Sequence, residues 1–156
     1  MFLAASSRES IPLMLSQTAE YALRASLWIA EHPDRAPVRV GDLAESLDIP
    51  QNYLSKTLHL LARAGVLHST RGKHGGFRLA RPAARTPLIE IVQPFERLGD
   101  TRACLLGRTV CSDAAPCQAH DRWKRVKEIT ATFFRDTTLA DLIREPARKK
   151  AFAGER

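Results

Sequence analysis

Long apolar runs are missing from this 156-residue chain. None approaches the roughly 18 consecutive apolar residues of a membrane span, so no membrane partner is expected. The opening stretch, MFLAASSRESIPLML, lacks a basic start and a sustained apolar region, which argues against a secretory signal peptide. The expected compartment is the cytoplasm. Internal repeats and low-complexity segments are also missing. No paired carboxylates and no nucleophile–base constellation stand out, and the Gly-rich RGKHGG lies in a turn between two short strands rather than before a helix. We therefore expect neither an enzyme nor a small-molecule substrate. Acid is absent over a long stretch: from Arg63 to Arg85 there are five Arg, one Lys and no Asp or Glu.

What the chain does have is concentrated in two places. That acid-free stretch (Arg63, Arg71, Lys73, Arg78, Arg81, Arg85) carries six of the +7 formal net charges. So local a patch is either a solvated face or a docking face for a polyanion. The second place is CLLGRTVCSDAAPCQAHDRW, residues 104–123, which holds all three cysteines. An odd number of thiols cannot pair fully. In a chain without export features, a cluster of them reads as metal-binding or redox-active.

With 44% hydrophobic residues the chain can build a core. Residues 1–13 read as a disordered extension, with Met14 opening the helical sequence. SQTAEYALRASLWIAEHP (16–33) predicts a helix capped by Ser16 and stopped by Pro33, with Tyr21, Ala25, Trp28 and Ile29 on its inner stripe. VGDLAESLDI (40–49) predicts a short second helix, with Val40, Leu43, Ala44 and Leu47 inward. In QNYLSKTLHLLARAG a third helix buries Leu54, Leu58 and Leu61 and shows Asn52, Ser55, Lys56, His59 and Arg63. Gly65 ends it. Short polar and basic side chains on one face suit a major groove or an ordinary wet surface. Strands near Val66–Ser69 and Phe77–Leu79 then flank the basic turn. Helix pair, hairpin and charge patch together point to DNA binding by a winged helix-turn-helix.

PLIEIVQPFERL (87–98) predicts a further helix through Ile91, Val92, Phe95 and Leu98. DRWKRVKEITATFFRD (121–136) predicts a long one, with Trp123, Val126, Thr130 and Phe133 on one line and a dimerising role. TTLADLIREP closes the fold, and residues 144–156 read as a basic flexible tail. The fold class expected is therefore mainly α: a winged helix-turn-helix domain (14–99) with a two-stranded wing, a cysteine-rich loop (100–120), and a dimerisation helix with a closing helix (121–143).

The cysteine spacing is Cys-x6-Cys-x5-Cys-x2-His. Thiolates and a neutral imidazole suit an iron–sulfur cluster or zinc, and three unliganded thiols are the third reading. Arg102 and Arg108 would ease the charge of gathered thiolates.

Taken together, LSQTAEYALRA, IPQNYLSKTLHLLARAGVL, RGKHGGFRLARP, PLIEIVQPFE, the three-cysteine loop, HDRW and TTLADL resemble the IscR/NsrR-type (Rrf-two) family of winged-helix transcriptional regulators. The resemblance runs from Met14 to about Ile143. It implies homodimers on near-palindromic double-stranded operators, usually acting as repressors that sense nitric oxide, redox or iron–sulfur status. It implies an iron–sulfur cluster on Cys104, Cys111 and Cys117, with [2Fe–2S] favoured and [4Fe–4S] the alternative. His120 matches the histidine ligand of some members. Glu20 matches an acidic ligand that others take from the partner subunit. The first gap here is six residues, where well-described members mostly have five, and some members hold no cluster. For DNA, the resemblance places Asn52, Tyr53, Ser55 and Lys56 in the major groove and Arg71 in the minor groove. Ser16 and Gln17 would contact the backbone, Lys73 and Arg78 the phosphates, and His59 the DNA face.

Overall fold

Ser16 starts the fold. Its backbone is extended and its Oγ accepts the Ala19 N–H, so it caps α1 (Gln17–Glu31). The side chains α1 buries are small: Ala19, Ala22, Ala25 and Ser26, then Ile29. That stripe is rotated from the expected one. Ala25 and Ile29 are shared, while Tyr21 and Trp28 are only half-buried. Small side chains let neighbouring elements come close. In this computed structural model residues 15–96, 98, 104–106 and 111–143 are described. The extension read at 1–13, Met14, Arg102, Arg108 and the tail read at 144–156 lie outside the described residues.

α2 (Val40–Leu47) buries Leu43 and Ala44 and ends at Asp48, whose φ of 53° lies in the left-handed region. Asp tolerates that conformation better than most residues. Pro50 precedes α3 (Gln51–Arg63), which buries Leu54, Thr57, Leu58 and Leu61. The three leucines are fully buried, as their spacing predicts. Gly65, at φ +76°, turns the chain out of α3. β1 (Leu67–Thr70) and β2 (Gly76–Leu79) pair antiparallel, with Leu67 opposite Leu79 and Thr70 opposite Gly76. Val38 adds a bridge to Phe77 on the outer edge of β2.

The helix expected at 87–98 is much shorter. α4 spans Leu88–Val92 and gives way to turns. Gln93 still has helical backbone, and Pro94 after it lacks the N–H that would continue the ladder to Glu90. α5 (His120–Asp136) runs 17 residues and packs on α4. Its buried side chains are His120 and Phe134, with Trp123 and Thr130 half-buried. Val126 and Phe133, expected on the same line, face solvent instead. α6 (Leu139–Leu142) begins with a capping box between Thr138 and Asp141 and puts Leu139 into the core beside α1. The architecture is mainly helical with one two-stranded sheet, as expected.

Candidate DNA interface and cysteine site

The exposed face of α3 carries Asn52, Tyr53, Lys56, His59 and Arg63, with Ser55 half-buried. Tyr53 is 60% exposed, high for an aromatic residue that a folded chain has no need to show. Arg71, Lys73 and Arg78 are exposed on the adjoining hairpin. Helix face and hairpin thus present the basic stretch side by side. His59 does more than face outward. Its ring meets Phe77 of β2 edge-on, with centroids 5.3 Å apart, and so ties α3 to the wing. Asn52 Oδ1 accepts the Tyr53 N–H at 2.9 Å, which leaves its amide N–H groups outward. Ser16 and Gln17 are exposed at the start of α1, where the Ser16 N–H donates to the Glu96 carboxylate. Arg81 pairs with Glu90, so one of the six basic charges in the stretch is already partnered within the chain.

Two glycines shape the hairpin. A Cβ on Gly75 would lie 2.3 Å from the Thr70 carbonyl oxygen, and one on Gly76 would lie 2.3 Å from that of Val38. Gly76 also sits at φ +156°. Any side chain there would push the strands apart.

The second site starts where α5 begins. Cys104, Cys111 and Cys117 are all partly buried. His120, the first residue of α5, is only 5% exposed. Its Nδ1 lies 3.3 Å from Cys111 Sγ, and its Nε2 lies 2.8 Å from Asp113 Oδ1. A carboxylate only accepts, so Nε2 carries the proton and donates. In the neutral ring Nδ1 then keeps a lone pair aimed at the Cys111 sulfur. A carboxylate holding one ring nitrogen is how metal-ligating imidazoles are oriented. Lys124 Nζ lies 3.1 Å from the same Asp113 oxygen. The bonds from His120 and Lys124, with the Lys124 charge, hold the Asp113 carboxyl below its ordinary range, and Asp113 raises Lys124 in return. A cavity of about 270 Å³ opens beside Cys111, lined by Asp113, Lys124, Lys127 and Glu128.

Among the described residues, no group of three His, Cys, Asp or Glu gathers closely enough to hold a metal ion. Cys111 and His120 are brought together. Glu20 stands exposed on α1 and pairs with Arg24, 3.7 Å away. Asp113 was not singled out from the sequence, although an acid two residues after one candidate ligand and seven before another was a usable signal. Arg39 and Val38, which touch the wing, had no sequence signal of their own.

Residues 15–145 match the family described as Rrf2, iron-dependent transcriptional regulator. The chain belongs to the Rrf2 family. A candidate HTH-type transcriptional regulator of Aquifex aeolicus is 35% identical over 133 residues, which cover 84% of this chain and 92% of that one. Among solved structures, T. potens IscR aligns at a TM-score of 0.67 and 25% identity, over 83% of this chain and 85% of its own. CymR (YrzC), the global cysteine regulator of B. subtilis, aligns at 0.70 and 24%, over 84% and 96%; that likeness speaks to the fold. An Rrf2 chain is a transcriptional regulator and not an enzyme, and the family implies DNA binding. No helix among the described residues is long and apolar enough to cross a membrane.

Proposed function

We propose that this Rrf2 regulator works in the cytoplasm as a homodimeric repressor on a double-stranded operator, with an iron–sulfur cluster on Cys104, Cys111 and Cys117. Asn52, Tyr53, Ser55 and Lys56 read the major groove, and Arg71 enters the minor groove. Lys73, Arg78, Ser16 and Gln17 hold the backbone, and His59 lies on the same face. His120 is the fourth cluster ligand in preference to Glu20 from the partner subunit. The observation that carries the ligand choice is the His120 ring itself, which is buried, anchored by Asp113 and aimed through Nδ1 at Cys111. Thiols and an imidazole fit a cluster chemically, [2Fe–2S] more readily than [4Fe–4S] because one ligand is nitrogen. When bound, such a cluster supplies a group that oxidants and nitric oxide alter. The second copy has a place to bind: Val126, Ile129 and Phe133 form an exposed apolar stripe along α5.

The test is an absorption spectrum of protein purified without oxygen, with iron, sulfide and zinc counted per chain. Brown protein with matching iron and sulfide supports the reading, and His120→Ala should then change the spectrum more than Glu20→Ala. Colourless protein that holds zinc, or stays empty after reconstitution, overturns the cluster and leaves the DNA-binding regulator standing.

A further inference from the structure

The wing is fastened from outside by the segment that joins α1 to α2. Near the turn end of β2, Val38 exchanges two backbone hydrogen bonds with Phe77, Val38 N–H to Phe77 at 2.9 Å and the return bond at 2.8 Å. At its tip, the Arg39 guanidinium donates through Nη2 to the Lys73 carbonyl. Arg39 stands immediately before Val40, the first residue of α2, and α2 packs on α3. One residue therefore joins the start of the helix-turn-helix to the far end of the hairpin.

The tip has little else to hold it. Strand pairing stops at Thr70 opposite Gly76. Across residues 71–75 the backbone bond within the turn is Gly75 N–H to Gly72 carbonyl, at 3.0 Å. Arg71, Gly72, Lys73 and His74 are all exposed. Segments with exposed backbone and few buried contacts sit at the low-stability end of a fold. Gly76 lets the strap lie close, because any side chain there would strike the Val38 carbonyl. A guanidinium is well suited to the tip: one N–H of its rigid fork can hold a carbonyl while the others remain in water.

We propose that Arg39 is a positioning residue for DNA reading, which fixes the wing tip, and Arg71 with it, at a set distance from α3. The proposal rests on the DNA-binding reading above. Arg39 acts through the Lys73 carbonyl and need not touch DNA. A charged side chain so near the tip has an obvious rival role as a direct phosphate contact, and the two make different predictions.

The probe is a duplex enriched by the wild-type dimer from a random-sequence pool. Affinity is measured over a range of salt for wild type, Arg39→Ala, Arg39→Lys, Arg71→Ala and the Arg39→Ala, Arg71→Ala double variant. Arg39→Ala should weaken binding about fivefold, as suits one exposed charged contact. Its thermal midpoint should match wild type, and Arg39→Lys should restore part of the affinity. In the Arg71→Ala background the further loss should shrink to within about twofold, because there is no longer an arginine to place. Unchanged affinity in Arg39→Ala overturns the proposal. So does a loss of the same size in both backgrounds with a shallower salt slope, the mark of an independent phosphate contact. If the wild type enriches no duplex, the DNA-binding reading itself fails and this one falls with it.

Discussion

α1 and α5 are close in length, 15 and 17 residues, and opposite in burial. α1 buries five residues and sits at the centre of its half. α5 buries two, and leaves Ile129 70%, Phe133 51% and Val126 47% exposed. On the reading proposed above, the difference separates a part of the molecule that one chain completes from a part that a second copy completes. The helices and hairpin that the proposal turns towards DNA close their own core through Leu54, Leu58, Leu61, Val66 and Phe77. The cysteine loop and α5 hold an oriented histidine and an uncovered apolar stripe, both of which call for something more.

The largest effect should come from breaking the finished part. Leu58→Ala removes a fully buried side chain between α3 and its neighbours, and should cost about 3 kcal/mol. Thermal denaturation followed by circular dichroism should show the whole domain melting earlier, with operator binding lost near the new midpoint. The matching change in the unfinished part should leave the fold alone. Cys111→Ala should abolish cluster colour while circular dichroism and the dimer stay unchanged, and surviving colour would mean that the ligand set is wrong. Arg71→Ala touches only the proposed reading surface, where the side chain is exposed. It should weaken operator binding at least tenfold at physiological salt, with the dimer kept, as for an arginine inserted in a narrow minor groove.

The smallest effect sits at the seam. Thr138 donates from its N–H and its hydroxyl to the Asp141 carboxylate, which holds that carboxyl below its ordinary 3.8. A depressed acid stabilises the fold fully above its unfolded value and loses that contribution as pH falls through the folded one. The thermal midpoints of wild type and Asp141→Asn should therefore differ slightly at neutral pH and converge below about pH 4.

The helix-turn-helix was legible because its signals are local. Leucines at 54, 58 and 61 repeat at helical spacing, Gly65 marks a stop, and glycines mark the turn of the hairpin. α4 was overread because its apolar spacing runs on past Pro94, where the missing N–H interrupts the ladder and turns follow. The single line expected along α5 splits for a different reason. Its apolar residues point two ways, Phe134 into the fold and Ile129 and Phe133 out of it, and spacing alone does not tell a core from an interface. Cys111 and His120 were both expected at one cluster, but the Asp113 carboxylate that anchors the ring was not, since it depends on how residues 111–119 fold back onto α5. The ties through Arg39 and His59 were hidden for the same reason: each joins residues distant in sequence through one side chain.

The central claim is that α5 remains unfinished until a second copy covers it. Sedimentation of wild type beside Ile129→Lys tests it most directly. Ile129 is already in water in the single chain, so the lysine should leave the monomer's fold and thermal midpoint within about half a kcal/mol of wild type. Wild type should sediment at twice the chain mass and the variant at the chain mass, with the same circular dichroism. A wild type that stays monomeric at tens of micromolar, or a lysine variant that still dimerises, would contradict the account.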